Sequence, residues 1–566
     1  MRTQMHVCEE RSFVRATDLM RVVILLLAVA ALSPRTQGVL HAAESPGIAL
    51  SGQVSSAEEG PMEGVPVSAR KDGSTITVSV ITDKQGRYSF PRNRLDPGHY
   101  ALRIRAIGYG LAGAASADIT ADKTATVDLP LKKVQDISSQ LTNTEWLLSM
   151  PGANEDKYRM GQCGNCHTYE RIVKSHYTAD EFMDILRLMA SFSPGSTPAH
   201  PQKKGTDGGA ELFPGVVSEA TAKFLSTINL SSVDQWAYSF KTLPRPTGRA
   251  TNAIITEYSL PRPEALPHDV MMDPDGLIWY RDFGSEFIGS LDPKTGKVTD
   301  YPFPALKPGL SKGMIDMSLD KDGNIWVATR EASMLKFDRK THQFTVCCAN
   351  QSADAEDIKN RTDFGTFALA YGPDNKIEVW GGGPTMPGIH RLDVSTGKLE
   401  AFYSRSIYGT NSDSKGNGYG LEISTQNIIK VDAKTGEVTT YKAPTPNSGP
   451  RRGQFDSQDR LWFAEFRANK IGMFDTRSET FKEWELPTPW TGPYDVELDK
   501  NGDAWTGGMF SDRLVRLNTK TGQFTEYLMP RNTNIRKIFV DNSTTPVTVW
   551  VGNNHGDSIV KFEPLD

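Results

Sequence analysis

Asp273-Pro274-Asp275-Gly276-Leu277-Ile278-Trp279, Asp320-Lys321-Asp322-Gly323-Asn324-Ile325-Trp326 and Asp499-Lys500-Asn501-Gly502-Asp503-Ala504-Trp505 are one phrase written three times. Each copy opens with turn residues, passes through a Gly and runs into a short apolar strand that carries a Trp. Between copies stand hairpins of a second repeated form: Leu291-Asp292-Pro293-Lys294-Thr295-Gly296-Lys297-Val298, Val431-Asp432-Ala433-Lys434-Thr435-Gly436-Glu437-Val438 and Leu517-Asn518-Thr519-Lys520-Thr521-Gly522-Gln523-Phe524. The period is about 45 residues, the mark of a radial or stacked repeat. Weaker copies put Trp380, Tyr419, Trp462 and Trp550 in the place of the repeated Trp, which makes seven units. Four short strands per unit predict a seven-bladed β-propeller over residues 251–566. Such a ring has to close. Ile254-Ile255-Thr256-Glu257-Tyr258-Ser259-Leu260-Pro261 matches the unit ending Phe524-Thr525-Glu526-Tyr527-Leu528-Met529-Pro530, so the first strand is expected to complete the last blade.

Toward the N-terminus, residues 137–242 change to helical spacing. Glu145-Trp146-Leu147-Leu148 and Ala179 to Phe192 are the clearest helices, the second with Phe182, Ile185, Leu186 and Met189 on one apolar stripe. Ahead of it stands Cys163-Gly164-Asn165-Cys166-His167. Two thiols one turn apart can add across two vinyl groups, and an imidazole directly after them can reach the iron from the same side. The spacing therefore predicts one covalently bound haem c, with Cys163 and Cys166 as thioether sites and His167 as proximal ligand. The alternative is a zinc or redox Cys pair, but no second pair accompanies this one. Met150, Met160, Met183, Met189, His176 and His200 are all in the region as sixth ligands, and a thioether suits electron transfer.

Residues 47–133 alternate apolar and polar positions in short runs such as Tyr100-Ala101-Leu102-Arg103-Ile104, separated by turns such as Asp83-Lys84-Gln85-Gly86. This predicts a small antiparallel β-sandwich. At the start, Met20-Arg21, the apolar run Val22 to Leu32 and the small residues up to Ala42-Ala43 read as a cleaved secretory signal over 1–43, so the chain is expected to be periplasmic or otherwise exported. An apolar run of about eleven residues falls short of the roughly twenty that span a bilayer, and no other segment is long enough. The mature chain is expected to have no membrane span.

With Cys8 in the signal and two cysteines in the haem motif, only Cys347 and Cys348 remain. Neighbours on a strand point to opposite faces, so these two are read as strand residues without a bridge. Acidic and basic residues nearly balance, 68 against 63, and no Lys/Arg run tracks a phosphate backbone, so nucleic acid is set aside. No blade carries an Asp-rich calcium loop.

Aligning the seven units on the repeated Trp and counting back to the start of each inner strand gives His268, Ile315, Phe367, Tyr408, Arg451, Tyr494 and Arg536. One imidazole, two guanidiniums and two phenols at one mouth suit an anionic or aromatic ligand. The alternative is a set of ordinary rim residues in water.

Three resemblances add to this reading. Gly52-Gln53-Val54, Gly64-Val65-Pro66-Val67, Gly86-Arg87-Tyr88-Ser89-Phe90 and Leu95-Asp96-Pro97-Gly98-His99-Tyr100 resemble the carboxypeptidase regulatory-like domain, which implies a non-catalytic accessory module. Cys163 to Met189 looks like short cytochrome c domains of exported oxidoreductases. That likeness implies Met189 as sixth ligand, because a Met recurs at its position.

Gly492-Pro493-Tyr494-Asp495-Val496, Leu461-Trp462-Phe463-Ala464-Glu465-Phe466 and Thr525-Glu526-Tyr527 resemble the streptogramin lyase (virginiamycin B lyase) family over residues 251–566. That family implies a seven-bladed propeller and magnesium-assisted elimination that linearises a cyclic depsipeptide with central His and Glu residues. Pro267-His268 and Glu465 match its pattern. The second Pro-His pair is missing, with Tyr494 and Arg536 in the corresponding places, and Leu266 stands where a Glu precedes the His.

The expected fold is mainly β: an N-terminal β-sandwich, a small α-helical cytochrome c domain and the propeller. The expected function is a periplasmic monohaem protein of electron transfer or oxidoreduction, its propeller binding a small-molecule substrate or an electron carrier. His268, Tyr408, Arg451, Glu465, Tyr494 and Arg536 are the candidate site residues. The alternatives are a C–O lyase using magnesium and a non-enzymatic recognition or redox-sensing module.

Overall fold

The repeated phrase owes its form to one carboxylate. Asp273 Oδ1 accepts from the backbone N–H groups of Asp275 (2.9 Å) and Leu277 (3.0 Å), while Oδ2 accepts from the Trp279 indole (2.7 Å). The same three bonds recur from Asp320 to Asp322, Asn324 and Trp326, and from Asp499 to Asn501, Asp503 and Trp505. They return in the weaker copy from Asp456 to Gln458, Arg460 and Trp462. Gly276, Gly323 and Gly502 stand at φ of 84°, 80° and 85°, a left-handed turn that a residue without Cβ adopts without strain. A turn and the indole it anchors are thus written within seven residues.

A computed structural model of the chain describes residues 47–161, 163–193, 195–203, 215–230, 236–303, 313–329, 334–347, 366–371, 376–382, 388–403, 405 and 407–566. The signal-like stretch 1–43, Cys8 and Cys348 lie outside these residues. Each Asp phrase links the first two strands of a four-stranded antiparallel sheet, and six such sheets run from Pro267–Met272 to Phe524–Leu528. The seventh comprises Ile535–Asp541, Thr548–Asn553, Ser558–Pro564 and, as its fourth strand, Ala253–Ser259. Its last pairing runs from Ala253↔Pro564 to Ser259↔Ser558, which is the predicted closure. Pro267–Met272 also lies beside Ile535–Asp541, so the first and last inner strands meet.

The sandwich forms, but not wholly antiparallel as expected, since Ile48–Ser56 pairs in parallel with Leu129–Lys133 and Ala125–Thr126. Ile48–Ser56 pairs with Leu129–Lys133 and Arg87–Pro91, and the facing sheet is Ile76–Ile81, Pro66–Lys71, Gly98–Ile104 and Ala115–Ile119 around one apolar core. Ile76–Ile81 also pairs with the closing strand, from Ile254↔Val80 to Tyr258↔Ile76. One eight-stranded sheet therefore passes from the last blade into the sandwich, which covers an edge that would otherwise invite pairing with another chain.

Five α-helices are described: Asn143–Ser149, Asn154–Met160, Glu170–Val173, Ala179–Ala190 and Glu219–Ile228. A self-contained cytochrome domain over 137–242 is not evident, and that expectation is corrected. Trp146, Met160, Tyr169, Phe182 and Leu225 share one apolar cluster with Tyr494, Met509 and Phe510 of the propeller. Most of that cluster comes from the helical segment itself, and the three propeller residues complete it, so the helices and the propeller share one continuous core. On Ala179–Ala190 the stripe narrows to Phe182 and Leu186, and Met189 is 44% exposed. Among the described residues no helix is long and apolar enough to cross a membrane.

Candidate functional site at the propeller mouth

His268, Ile315, Phe367, Arg451 and Arg536 are each the second residue of an inner strand, Tyr408 stands directly before Gly409–Ser412 and Tyr494 three residues before Glu497–Leu498, and five of the seven converge. Tyr408 Oη lies 2.7 Å from Tyr494 Oη, which lies 2.9 Å from His268 Nε2. Arg451 Nη2 donates to Tyr408 Oη at 2.9 Å, and its guanidinium carbon sits 4.0 Å from the Tyr494 ring centre and 4.3 Å from that of Phe466. Arg536 packs over Phe283 at 5.0 Å and donates from Nε to Asn534 Oδ1 at 2.8 Å. Behind His268, Nδ1 meets Arg281 Nη2 at 2.5 Å and also Asp269 Oδ1. A donor and an acceptor on the same nitrogen let the ring hold its proton on either side. Burial first, then the charges of Arg281, Arg536, Arg452 and Arg451, hold His268 well below the usual imidazole value, so it is neutral.

The other two positions lack chemistry. Phe367 packs between blades with Trp326 and Val379, and Ile315 contributes its carbonyl, which accepts from Arg452 Nη2 at 3.1 Å. Glu465 is a larger correction. Along Arg460–Glu465, Leu461 and Phe463 face the preceding blade, and Glu465, two residues on, shares their side. Its carboxyl is buried beside Glu483, Lys470 and Ser448 rather than in the channel, and burial followed by the Glu483 charge pushes it up to about 7.

One residue past five of the seven aligned positions lies a charged layer that was not singled out: Asp269, Asp316, Arg452, Asp495 and Lys537. Arg452 Nη1 pairs with Asp316 at 3.0 Å and approaches Asp269 at 3.7 Å, Lys537 Nζ stands 3.4 Å from Asp316, and Arg281 donates to Asp269 at 2.8 Å. Three cations (Arg281, Arg452, Lys537) thus face three carboxylates (Asp269, Asp316, Asp495) inside the ring. The signal was available, because charged residues in an inner strand need partners.

This bears on magnesium. The carboxylates nearest His268 are already committed to Arg and Lys, and among the described residues no three His, Cys, Asp or Glu side chains converge as on a metal ion. The donor set of the mouth does not fit a magnesium site.

The Cys163–His167 loop sits on this mouth. Asn534 Nδ2 donates to Gly164 O at 3.3 Å while its Oδ1 holds Arg536. The Tyr169 and Phe510 rings lie 6.0 Å apart, and Cys166 and Arg536 are close enough to interact electrostatically. Cys163 and Cys166 are unbridged, and burial pushes the Cys163 thiol up to about 12, leaving it neutral. His167 Nδ1 lies 2.9 Å from the Thr168 carbonyl, which can only accept, so Nδ1 carries the proton and Nε2 keeps its lone pair. Burial lowers the His167 value further toward the neutral ring. Two unbridged thiols at this spacing and an imidazole with Nε2 free are what haem attachment and ligation require, so the residues fit the group. Met160, fully buried in the cluster that Cys163 joins, is better shielded than Met189.

Residues 404–564 match the virginiamycin B lyase family. The match takes in Tyr408, Arg451, Tyr494 and Arg536 and stops short of His268. Residues 49–132 match the carboxypeptidase regulatory-like domain, in agreement with the expected 47–133. The haem motif lies outside both matches.

Among solved structures the chain is similar to selenomethionine-substituted virginiamycin B lyase from Staphylococcus aureus, at 21% identity over 55% of this chain and 98% of that one, with a TM-score of 0.46. A streptogramin B lyase structure is similar at 21% identity over 56% and 99%, with a TM-score of 0.46. The extracellular domain of a putative one-component system from B. thetaiotaomicron is similar at 16% identity over 53% and 40%, with a TM-score of 0.42. No curated protein matches the chain.

Proposed function

We propose that this chain is an exported monohaem c-type protein whose haem, attached at Cys163 and Cys166 and ligated by His167, serves a ligand held in the propeller mouth. The observation that carries the reading is the loop itself. Its Cys-x-x-Cys-His residues stand at the spacing attachment needs, His167 keeps Nε2 free while Nδ1 is held by the Thr168 carbonyl, and Asn534 ties the loop to the Arg536 wall of the mouth. Bound there, a haem supplies one-electron chemistry and passes electrons to a soluble carrier. The chain's own part is to hold the ligand against Arg451, Arg536 and the Tyr408–Tyr494–His268 chain while the buried ion network below keeps the ring rigid.

The test is maturation of the full chain in a host that attaches c-type haem, followed by denaturation and haem quantification. One haem per chain, lost in Cys163→Ala/Cys166→Ala, is expected. A chain that leaves such a host with both thiols free overturns the proposal.

The match of residues 404–564 favours a second reading, a lyase that opens a cyclic ester. Against it stand the displaced Glu465 and the carboxylates bound to Arg and Lys. Incubation with a cyclic depsipeptide and mass analysis for a linear isomer separates the two: turnover lost in His268→Ala supports the lyase, and none supports the redox reading.

A further inference from the structure

The mouth contains one oxygen unlike the rest. Tyr408 is partly exposed, whereas Tyr494 and His268 behind it are each 1% exposed, so Tyr408 is the member of the hydrogen-bonded chain with surface open to a ligand. That oxygen accepts from Arg451 at 2.9 Å and lies 2.7 Å from the Tyr494 hydroxyl, which can turn its proton toward it. The guanidinium of Arg451 is 6% exposed, its other described polar contact is the Met509 sulfur at 3.3 Å, and no described ion pair gives it a carboxylate. A buried cation held against a phenol is stabilised when that phenol carries the negative charge.

We infer that Tyr408 is the proton-accepting group of the propeller mouth and that its ligand is a molecule with a weakly acidic aromatic hydroxyl, bound as its oxyanion between Arg451 and Arg536. The ligand O–H bond breaks, a new O–H bond forms on Tyr408, and the electron pair stays on the ligand oxygen. Charge moves from one oxygen to the other under the same guanidinium, so the buried charge count does not change. Phe466, partly exposed with Arg451 over its ring, supplies surface for the ligand ring. The inference rests on the mouth being the ligand site and is independent of the haem.

The groups facing Tyr408 agree with this role. Arg451 and Arg452 face it from Pro450–Phe455, Arg536 from Ile535–Asp541, and Tyr494 brings His268 behind it. Burial alone raises the phenol, but the charges of Arg451 and Arg452 and the hydrogen bonds from Tyr494 and Arg451 outweigh it and bring it down to about 8. Tyr494, buried beside the resulting phenolate, moves up to about 12. The two titrate as a pair whose first proton leaves early.

The experiment uses the full chain, wild type beside Tyr408→Phe at the same haem content, in two measurements. An ultraviolet difference titration isolates the missing phenol. One tyrosinate forming near pH 8 in wild type alone, shifted upward in Arg451→Met, supports the inference, whereas no early tyrosinate overturns it. Calorimetric binding of 4-cyanophenol in two buffers of different ionisation enthalpy then counts protons. Above the Tyr408 value, where 4-cyanophenol is itself largely ionised in solution, wild type takes up about one proton from buffer on binding as Tyr408 is protonated beside the bound oxyanion, whereas Tyr408→Phe takes up none and binds about tenfold more weakly or worse, the loss expected for a charge-assisted bond. Equal binding of benzoate in both proteins with no binding of the phenol overturns the ligand class. Haem loss with the tyrosinate intact counts against the haem reading alone.

Discussion

Asp499→Ala removes the acceptor of three hydrogen bonds at one stroke. The lost bonds come from Asn501 N (2.8 Å), Asp503 N (3.1 Å) and Trp505 Nε1 (3.0 Å). Asn501 is exposed, so water can replace its partner, but Asp503 is 4% exposed and Trp505 fully buried. Two buried donors are left without partners at roughly 1–3 kcal/mol each, so the expected loss is about 3–4 kcal/mol. Asp499→Asn keeps one acceptor oxygen and is expected to cost about half as much. The internal control is Asp541→Ala in the last blade, where the carboxylate holds only its own turn through Ser543 and the Trp550 indole has no partner. That change is expected to cost about 1 kcal/mol. Urea denaturation followed by tryptophan fluorescence reads all three. An Asp499→Ala cost no larger than that of Asp541→Ala would refute the account of why the phrase repeats.

Two further outcomes follow from the channel and the loop. Burial first, then the Asp495 charge, pushes the Glu497 carboxyl from an ordinary 4.5 up to about 8. Between those values the folded chain holds a proton that the unfolded chain has lost, so stability falls as pH rises through that window, and Glu497→Gln should flatten the fall in denaturation midpoints. Asp269 behaves oppositely: burial opposes ionisation, but Arg281 and Arg452 win and hold it at about 2, so its contribution is lost as pH drops from 3.8 toward 2. Gly164→Ala would put a Cβ 2.9 Å from the Phe510 ring and 3.3 Å from the Tyr169 hydroxyl. The loop then lifts off Asn534, and limited proteolysis is expected to cut the helical segment sooner while the propeller survives; unchanged protection would contradict the seating.

How much of the site could be read from sequence is clearest at the aligned inner-strand positions. Counting from a repeated Trp finds where each inner strand begins, because strand geometry is periodic, and it found His268, Tyr408, Arg451, Tyr494 and Arg536. It cannot tell which side chain turns into the channel and which turns between blades, which is why Phe367 joined the list in error. Glu465 failed for the same reason, since a match to a family string conveys residue type and not the face of the strand. The charged layer at Asp269, Asp316, Arg452, Asp495 and Lys537 was one residue away in the same alignment. Met189 fell on an apolar stripe wider than the surface available to bury it.

The amino-acid sequence by itself determined the seven-fold ring, its closing strand, the sandwich and the Cys-x-x-Cys-His loop. Each is written in local spacing, a carboxylate six residues before its indole or two thiols before an imidazole, and local spacing acts through bonds within a turn or a strand pair. Only the tertiary structure decided that the helical core is continuous with propeller residues, that the sandwich continues the last blade's sheet, and that the Gly164 loop lies on Asn534, 370 residues away. The same holds for Tyr408, Tyr494 and His268, which meet because different blades aim at one axis. Contacts of that separation depend on how whole blades pack around the ring, and no window of sequence contains both partners.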